Sequence, residues 1–244
     1  MRNLMKAEWL RIVHSGAIKW MVLILLLFPA MSMLVDLQWY EHTLAENLAV
    51  ITDAISMLLM LFSVIGFSIG MSYQNRTAYH EIMNGHNRHK IIISKAVLYT
   101  IIMTGGITVL YGIYFGIVSA MNGTGDIDNI PLRIVLFILV MIHVCVISVL
   151  LSIAAKKASG IVVIARLMVF ESVFNVAYAL YVFSLNNNET NKNITNLFII
   201  GQITEIFTGK IDTNLILAVV LTLIIEVAIW YICAYHSLKR KSFK

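Results

Sequence analysis

Four ionisable side chains stand inside long runs of apolar residues: His143, Arg166, Glu171 and Glu226. A charge in such a run turns toward the protein interior and pairs there, or it lines a path for a polar passenger. Arg166 and Glu171 are five residues apart, about 140° around a helix, which separates them on any one helix. Arg166 with Glu226 is one cross-helix pairing that the sequence offers, either as a structural pair or as part of a translocation path. His143 has no obvious partner in the sequence and reads as a histidine hydrogen-bonded to a neighbouring helix. His86 and His89 are too solitary for a zinc site. The chain has no G-x-x-x-x-G-K-[ST] loop, since Gly209-Lys210 is followed by Ile211, and no H-E-x-x-H or G-x-S-x-G. Neither nucleotide binding by that route nor hydrolytic chemistry is expected on this chain, and no cofactor or metal.

The elements that must position these residues follow from composition. The chain has 244 residues, 59% apolar and 13% charged, with a mean hydropathy of +0.84. Soluble domains carry about 25% charged residues. Apolar runs of about 18 residues or more read as membrane-spanning helices. Six are expected, over 18–36, 52–72, 93–120, 132–155, 159–184 and 213–236. The first is too long, and lacks the cleavage pattern, for a secretory signal. Pro29 is expected to kink it. The runs are Leu-, Ile- and Val-rich without alternation, which favours helices over a barrel. Cys145 and Cys233 both fall in spans and read as free buried thiols. The expected fold is an all-α integral membrane protein, a single transmembrane domain over 1–244.

Charge orients it. With both ends cytoplasmic, fourteen of the eighteen Lys and Arg residues lie inside, Arg133, Lys192 and Lys210 lie outside, and Arg166 falls within span five. This is a positive-inside pattern. The acids Asp36, Glu41, Glu46, Asp126, Asp128, Glu189, Glu205 and Asp212 lean outward. The net charge of +5 is thus a topology signal, and nucleic acid is not an expected partner.

Three segments are neither spans nor plain loops. Residues 1–17 place Met5, Trp9, Ile12 and Val13 at helical spacing, with Arg2, Lys6, Glu8 and Arg11 largely off that face, as an interfacial helix would. Residues 185–212 begin as a polar loop. They continue as ITNLFIIGQITEIFTGKI, which either lies in the outer interface or dips in as a re-entrant helix. The third is 72–95, SYQNRTAYHEIMNGHNRHKIIISK, the only long inner connection. Within 76–90 a short amphipathic helix is expected, with Thr77 as N-cap, Tyr79, Ile82, Met83 and His86 on one face, and Gly85 as a left-handed stop. Arg76, His80, Glu81 and Arg88 flank that face. Such a helix suits docking of a soluble partner.

This stretch resembles the region between the second and third spans of permease subunits of type-2 ABC exporters, with a pattern like E-Y-x-x-G-T followed by a G-x-S-R-x-x-I-x-x-S-K-like run. Tyr73, Thr77, Gly85, Arg88, Ile91, Ser94 and Lys95 match. Ser72 stands where the family has an acid, and Arg76 where it has a glycine. In style the chain is similar to the small permeases of bacteriocin and lantibiotic self-protection systems and to peptide-toxin exporters of Firmicutes. The resemblance implies a multi-pass protein of the bacterial plasma membrane. Residues 76–90 would be a coupling helix seated in a separate ATPase, with Arg76, Thr77, Tyr79, Glu81, Ile82, Met83, Gly85 and Arg88 at the contact. ATP and Mg would be bound by that partner. A second copy or a sister permease would complete the path. The passenger would be an amphipathic peptide or a lipid-like molecule taken from the membrane. The rival readings are a secondary transporter, an energy-coupling-factor importer subunit, and a stand-alone immunity or sensor protein.

Overall fold

A computed structural model describes residues 2–14, 19, 23, 44–45, 62–156, 159–170 and 197–239. Among them all regular structure is helical: α1 (Arg2–His14), α2 (Ser63–Gln74), α3 (Thr77–Met83), α4 (Arg88–Asn122), α5 (Ile130–Ala155), α6 (Ser159–Ile164, running on as a π-helix over Ala165–Phe170), α7 (Ile199–Thr208) and α8 (Thr213–Lys239). Local chemistry sets the boundaries. Asn87 caps α4 by accepting the His89 N–H at 3.0 Å, and Gly123, at φ +80°, ends it. Pro131 lies in the first turn of α5, where a missing N–H costs nothing. The Asp212 carboxylate accepts the Leu215 N–H at 2.8 Å at the start of α8.

The helices α4, α5 and α8, of 35, 26 and 27 residues, are long and apolar enough to cross a membrane; about 20 residues suffice. They correspond to the expected spans three, four and six. Span one, with Pro29, lies outside the described residues apart from Lys19 and Leu23. Of spans two and five, only the parts in α2 and in α6 with its π-helix are described. Cys145 is buried and Cys233 is exposed, so the expectation of two buried thiols is corrected for Cys233; both are free.

Helix α5 is the hub. It packs against α2, α4, α6, α7 and α8, and 67% of its most apolar window is buried, against 17% for α8. Both ends of the bundle are tied by polar contacts. At one, Ser237 Oγ donates to the Ala154 carbonyl at 3.0 Å, joining the ends of α8 and α5. At the other, the Arg133 guanidinium donates to the carbonyls of Ile206 (2.5 Å) and Gly209 (3.0 Å), so it holds the C-terminal end of α7 against α5. Ile199, Ile203, Ile206 and Phe207 bury the apolar face of α7.

Helices α2 and α6 meet backbone to backbone. A Cβ at Gly66 would stand 2.8 Å from Gly160 Cα and 2.9 Å from the Ser159 carbonyl oxygen. Ser159 Oγ donates across the same crossing to the Gly66 carbonyl. Small residues permit such close approach between apolar helices. Gly66→Ala should therefore destabilise the purified chain by about 1–3 kcal/mol of overpacking and lower its thermal midpoint. Helix propensity alone predicts the opposite sign. A midpoint that holds or rises would show that the two backbones do not touch.

Candidate functional site

At the bundle end that holds the starts of α3 and α4, a buried ionic network forms around Lys95. Its side chain is 2% exposed, and its ammonium donates to Glu8 of α1 and, at 3.3 Å, to Glu81 of α3. Arg11 stands 2.8 Å from Glu8 and donates to Tyr99 Oη at 3.2 Å, while Ser68 Oγ and Tyr99 Oη share a hydrogen bond at 2.5 Å. Burial works against the Arg11 charge, but Glu8, with Tyr99 and Glu81, outweighs it, and the Arg11 pKa is raised. Two carboxylates face two cations, so the network is balanced while it stays dry. It joins α1, α2, α3 and α4.

The reading of 76–90 is corrected in detail. The stretch divides into the seven residues of α3, a turn, and the first residues of α4, which starts at Arg88. Thr77 does not cap: its hydroxyl donates to the Ser72 carbonyl at 3.0 Å. Ile82 and Met83 do not share a face. Ile82 packs against the core, whereas Met83 is 72% exposed. Consecutive residues stand about 100° apart on a helix, and the side of α3 turned to the core takes Ile82 and leaves Met83 outside. Tyr79 and His80 lie on α3, with side chains outside the described residues. Gly85 does stop the helix, at φ +76° with its N–H on the Ile82 carbonyl. Arg88 does not flank a free face: its Nε donates to the Leu238 carbonyl at 3.3 Å, at the end of α8. The neighbouring His89 ring stacks on Tyr235 at 4.6 Å and contacts Tyr231 Oη.

Arg76 and Ser72 acquire a physical setting. Arg76 has φ +60°, a left-handed conformation that glycine adopts without cost. Ser72 is buried, with its hydroxyl on the Ile69 carbonyl at 2.8 Å. In α1, Glu8 lies on the face turned to α4 and is 3% exposed, while Trp9 is 47% exposed.

A second polar cluster sits halfway along the long helices. Arg166 Nη2 donates to Glu226 Oε1 at 2.6 Å. The other carboxylate oxygen stands 3.9 Å from His143 Nε2. His143 is buried, and its ring nitrogens make no hydrogen bond among the described residues. Glu226 is the middle residue of α8, and His143 falls at the middle of α5. Arg166 lies on the π-helix, an insertion frequent at functional sites. Glu171 lies outside the described residues.

Among the described residues the regular structure is helical, and three helices have the length and apolarity of membrane spans. No family model, curated protein or solved structure matches the chain.

Proposed function

We propose that this chain is the membrane-spanning permease subunit of an ATP-driven exporter. It has six spans, both ends in the cytoplasm, and an amphipathic peptide or lipid-like passenger. The observation that carries this reading is the placement of α3. A seven-residue helix, too short to span, projects Met83 outward while Glu81 engages a buried Lys95 that also holds α1. Through Arg88 the same region reaches the end of α8. A push on α3 is thereby transmitted to three other helices, as a coupling helix requires. Energy would come from a separate ATPase seated on α3, and a second copy or a sister permease would enclose the path. Packed helices held by such contacts switch between discrete arrangements and do not deform smoothly.

The test is co-purification with the ATPase of an adjacent gene. Met83→Asp should leave the fold intact, because the side chain is exposed, and weaken ATPase capture about tenfold or more. Burying a methionine contributes roughly 1.5–3 kcal/mol, and 1.4 kcal/mol is a factor of ten. Wild-type capture and wild-type stimulation of hydrolysis by Met83→Asp would remove α3 as the docking element.

A further inference from the structure

At the end of the bundle opposite α3, which the proposed topology places outside, α4 and α5 with Phe207 of α7 line an open apolar cleft of about 390 Å³. Its walls include Tyr111, Phe115, Phe137 and Phe207, and α4 contributes Gly112 and Gly116. A Cβ at either glycine meets nothing within 4 Å, so the cavity exists in part because these positions have no side chain. Along α4 the lining runs from Thr108 to Ser119. At 1.5 Å per residue this is about 16 Å, roughly half of a hydrocarbon core about 30 Å thick. A second cavity of similar volume adjoins it and shares Ile127, Arg133 and Phe207. That one is more polar, with about half of its wall polar, and is flanked by the exposed Asp126, Asp128 and Lys210.

We infer that this pair of cavities holds one membrane phospholipid: an acyl chain in the apolar cleft and a zwitterionic headgroup in the polar one. Three features select this occupant. The cleft is open and about one leaflet deep. Its mouth presents both signs of charge. Its wall is almost wholly apolar, and the Arg133 guanidinium is spent on the carbonyls that anchor α7. A peptide backbone inserted there would leave N–H and C=O groups without partners, whereas a methylene chain needs none. The inference rests on α4 and α5 spanning a membrane and not on transport.

The experiment reconstitutes the full chain in nanodiscs of phosphatidylcholine carrying a photoreactive diazirine on one acyl chain. After illumination, adducts are mapped by mass spectrometry. Adducts should concentrate on the cavity segments, 108–119 and 130–137. Gly112→Leu with Gly116→Leu, which fills the cleft, should cut them at least fivefold. Gly105→Leu, on the same helix, equally open but outside the lining, should leave them unchanged. If the double variant loses its monodisperse elution, Gly116→Val alone carries the same expectation. Adducts on the exposed face of α8 but none in the cavity would overturn the lipid site and leave the spans standing. No adducts on α4, α5 or α8 would overturn the membrane placement as well. Equal loss with Gly105→Leu, or cavity residues captured by a second copy of the chain, would also overturn it.

Discussion

Lys95→Met should cost the chain more stability than any change on its exposed surface. The ammonium is 2% exposed and stands between Glu8, 3% exposed, and Glu81, 22% exposed. Removing it leaves two carboxylates facing Arg11 alone, and an uncompensated buried charge costs about 3–5 kcal/mol. The low end applies here, because Arg11 stays 2.8 Å from Glu8 and Glu81 reaches solvent. At roughly 2–4 °C per kcal/mol for a chain of this size, the thermal midpoint in detergent should fall by about 6–12 °C. The decisive comparison is with a second change. Glu8→Gln added to Lys95→Met restores one carboxylate against one guanidinium. The double variant should therefore recover part of the lost midpoint, although each single change lowers it. Strictly additive losses would mean that Glu8 and Lys95 are not coupled. The functional counterpart is sharper. If α3 is the element pushed by an ATPase, Glu81→Gln should leave most of the stability and reduce transport per ATP hydrolysed, since it loosens the link from α3 to the buried lysine.

What could be read from the sequence, and what could not, divides along range. The long apolar runs mark α4, α5 and α8 to within a few residues, because the length needed to cross a bilayer is a property of the run itself. The stop at Gly85 was equally local: Asn84-Gly85 after a short amphipathic stretch needs a left-handed residue there. Failures came where a side chain chooses between neighbours distant in sequence. Glu8 meets Lys95 across 87 residues, and nothing in α1 marks it as the inward face except Leu4, Glu8 and Arg11 recurring at helical spacing opposite Trp9. The apolar Met5 and Trp9 were the louder signal. Lys95 falls on a motif position, but a motif letter does not say that the residue is buried. Tyr79, Ile82, Met83 and His86 have the spacing of one helical face, but the spacing does not say which edge of that face turns to the bundle, and Ile82 packs there while Met83 stays exposed. His143 carries a usable clue. It lies as far into its helix as Glu226 does into α8, and the charge pattern runs both helices in the same direction, so they reach the same depth.

Glu226→Ala should reduce the yield of folded chain severely. The Glu226 carboxylate lies 2.6 Å from the Arg166 guanidinium, halfway along a helix of membrane-spanning length. An arginine at such a depth costs about 2.5–3.5 kcal/mol even by the mildest scale, and the carboxylate is what offsets it. Arg166→Met combined with Glu226→Met removes both charges, and a well-packed apolar pair commonly matches a buried ion pair in stability. The double variant should fold near the wild-type yield, and its transport then separates the two roles the pair can have. Retained transport makes the pair structural; a folded chain that no longer transports puts the charges in the path. His143→Phe is the control that fixes what the imidazole contributes. Its ring nitrogens make no hydrogen bond among the described residues, and Nε2 is 3.9 Å from the carboxylate. An apolar ring of similar size therefore forfeits nothing and removes two buried polar atoms, a change expected to be neutral or slightly stabilising. A loss as large as that of Glu226→Ala would instead mean that α5 and α8 close by about 1 Å in the membrane, bringing His143 into hydrogen-bonding reach of Glu226.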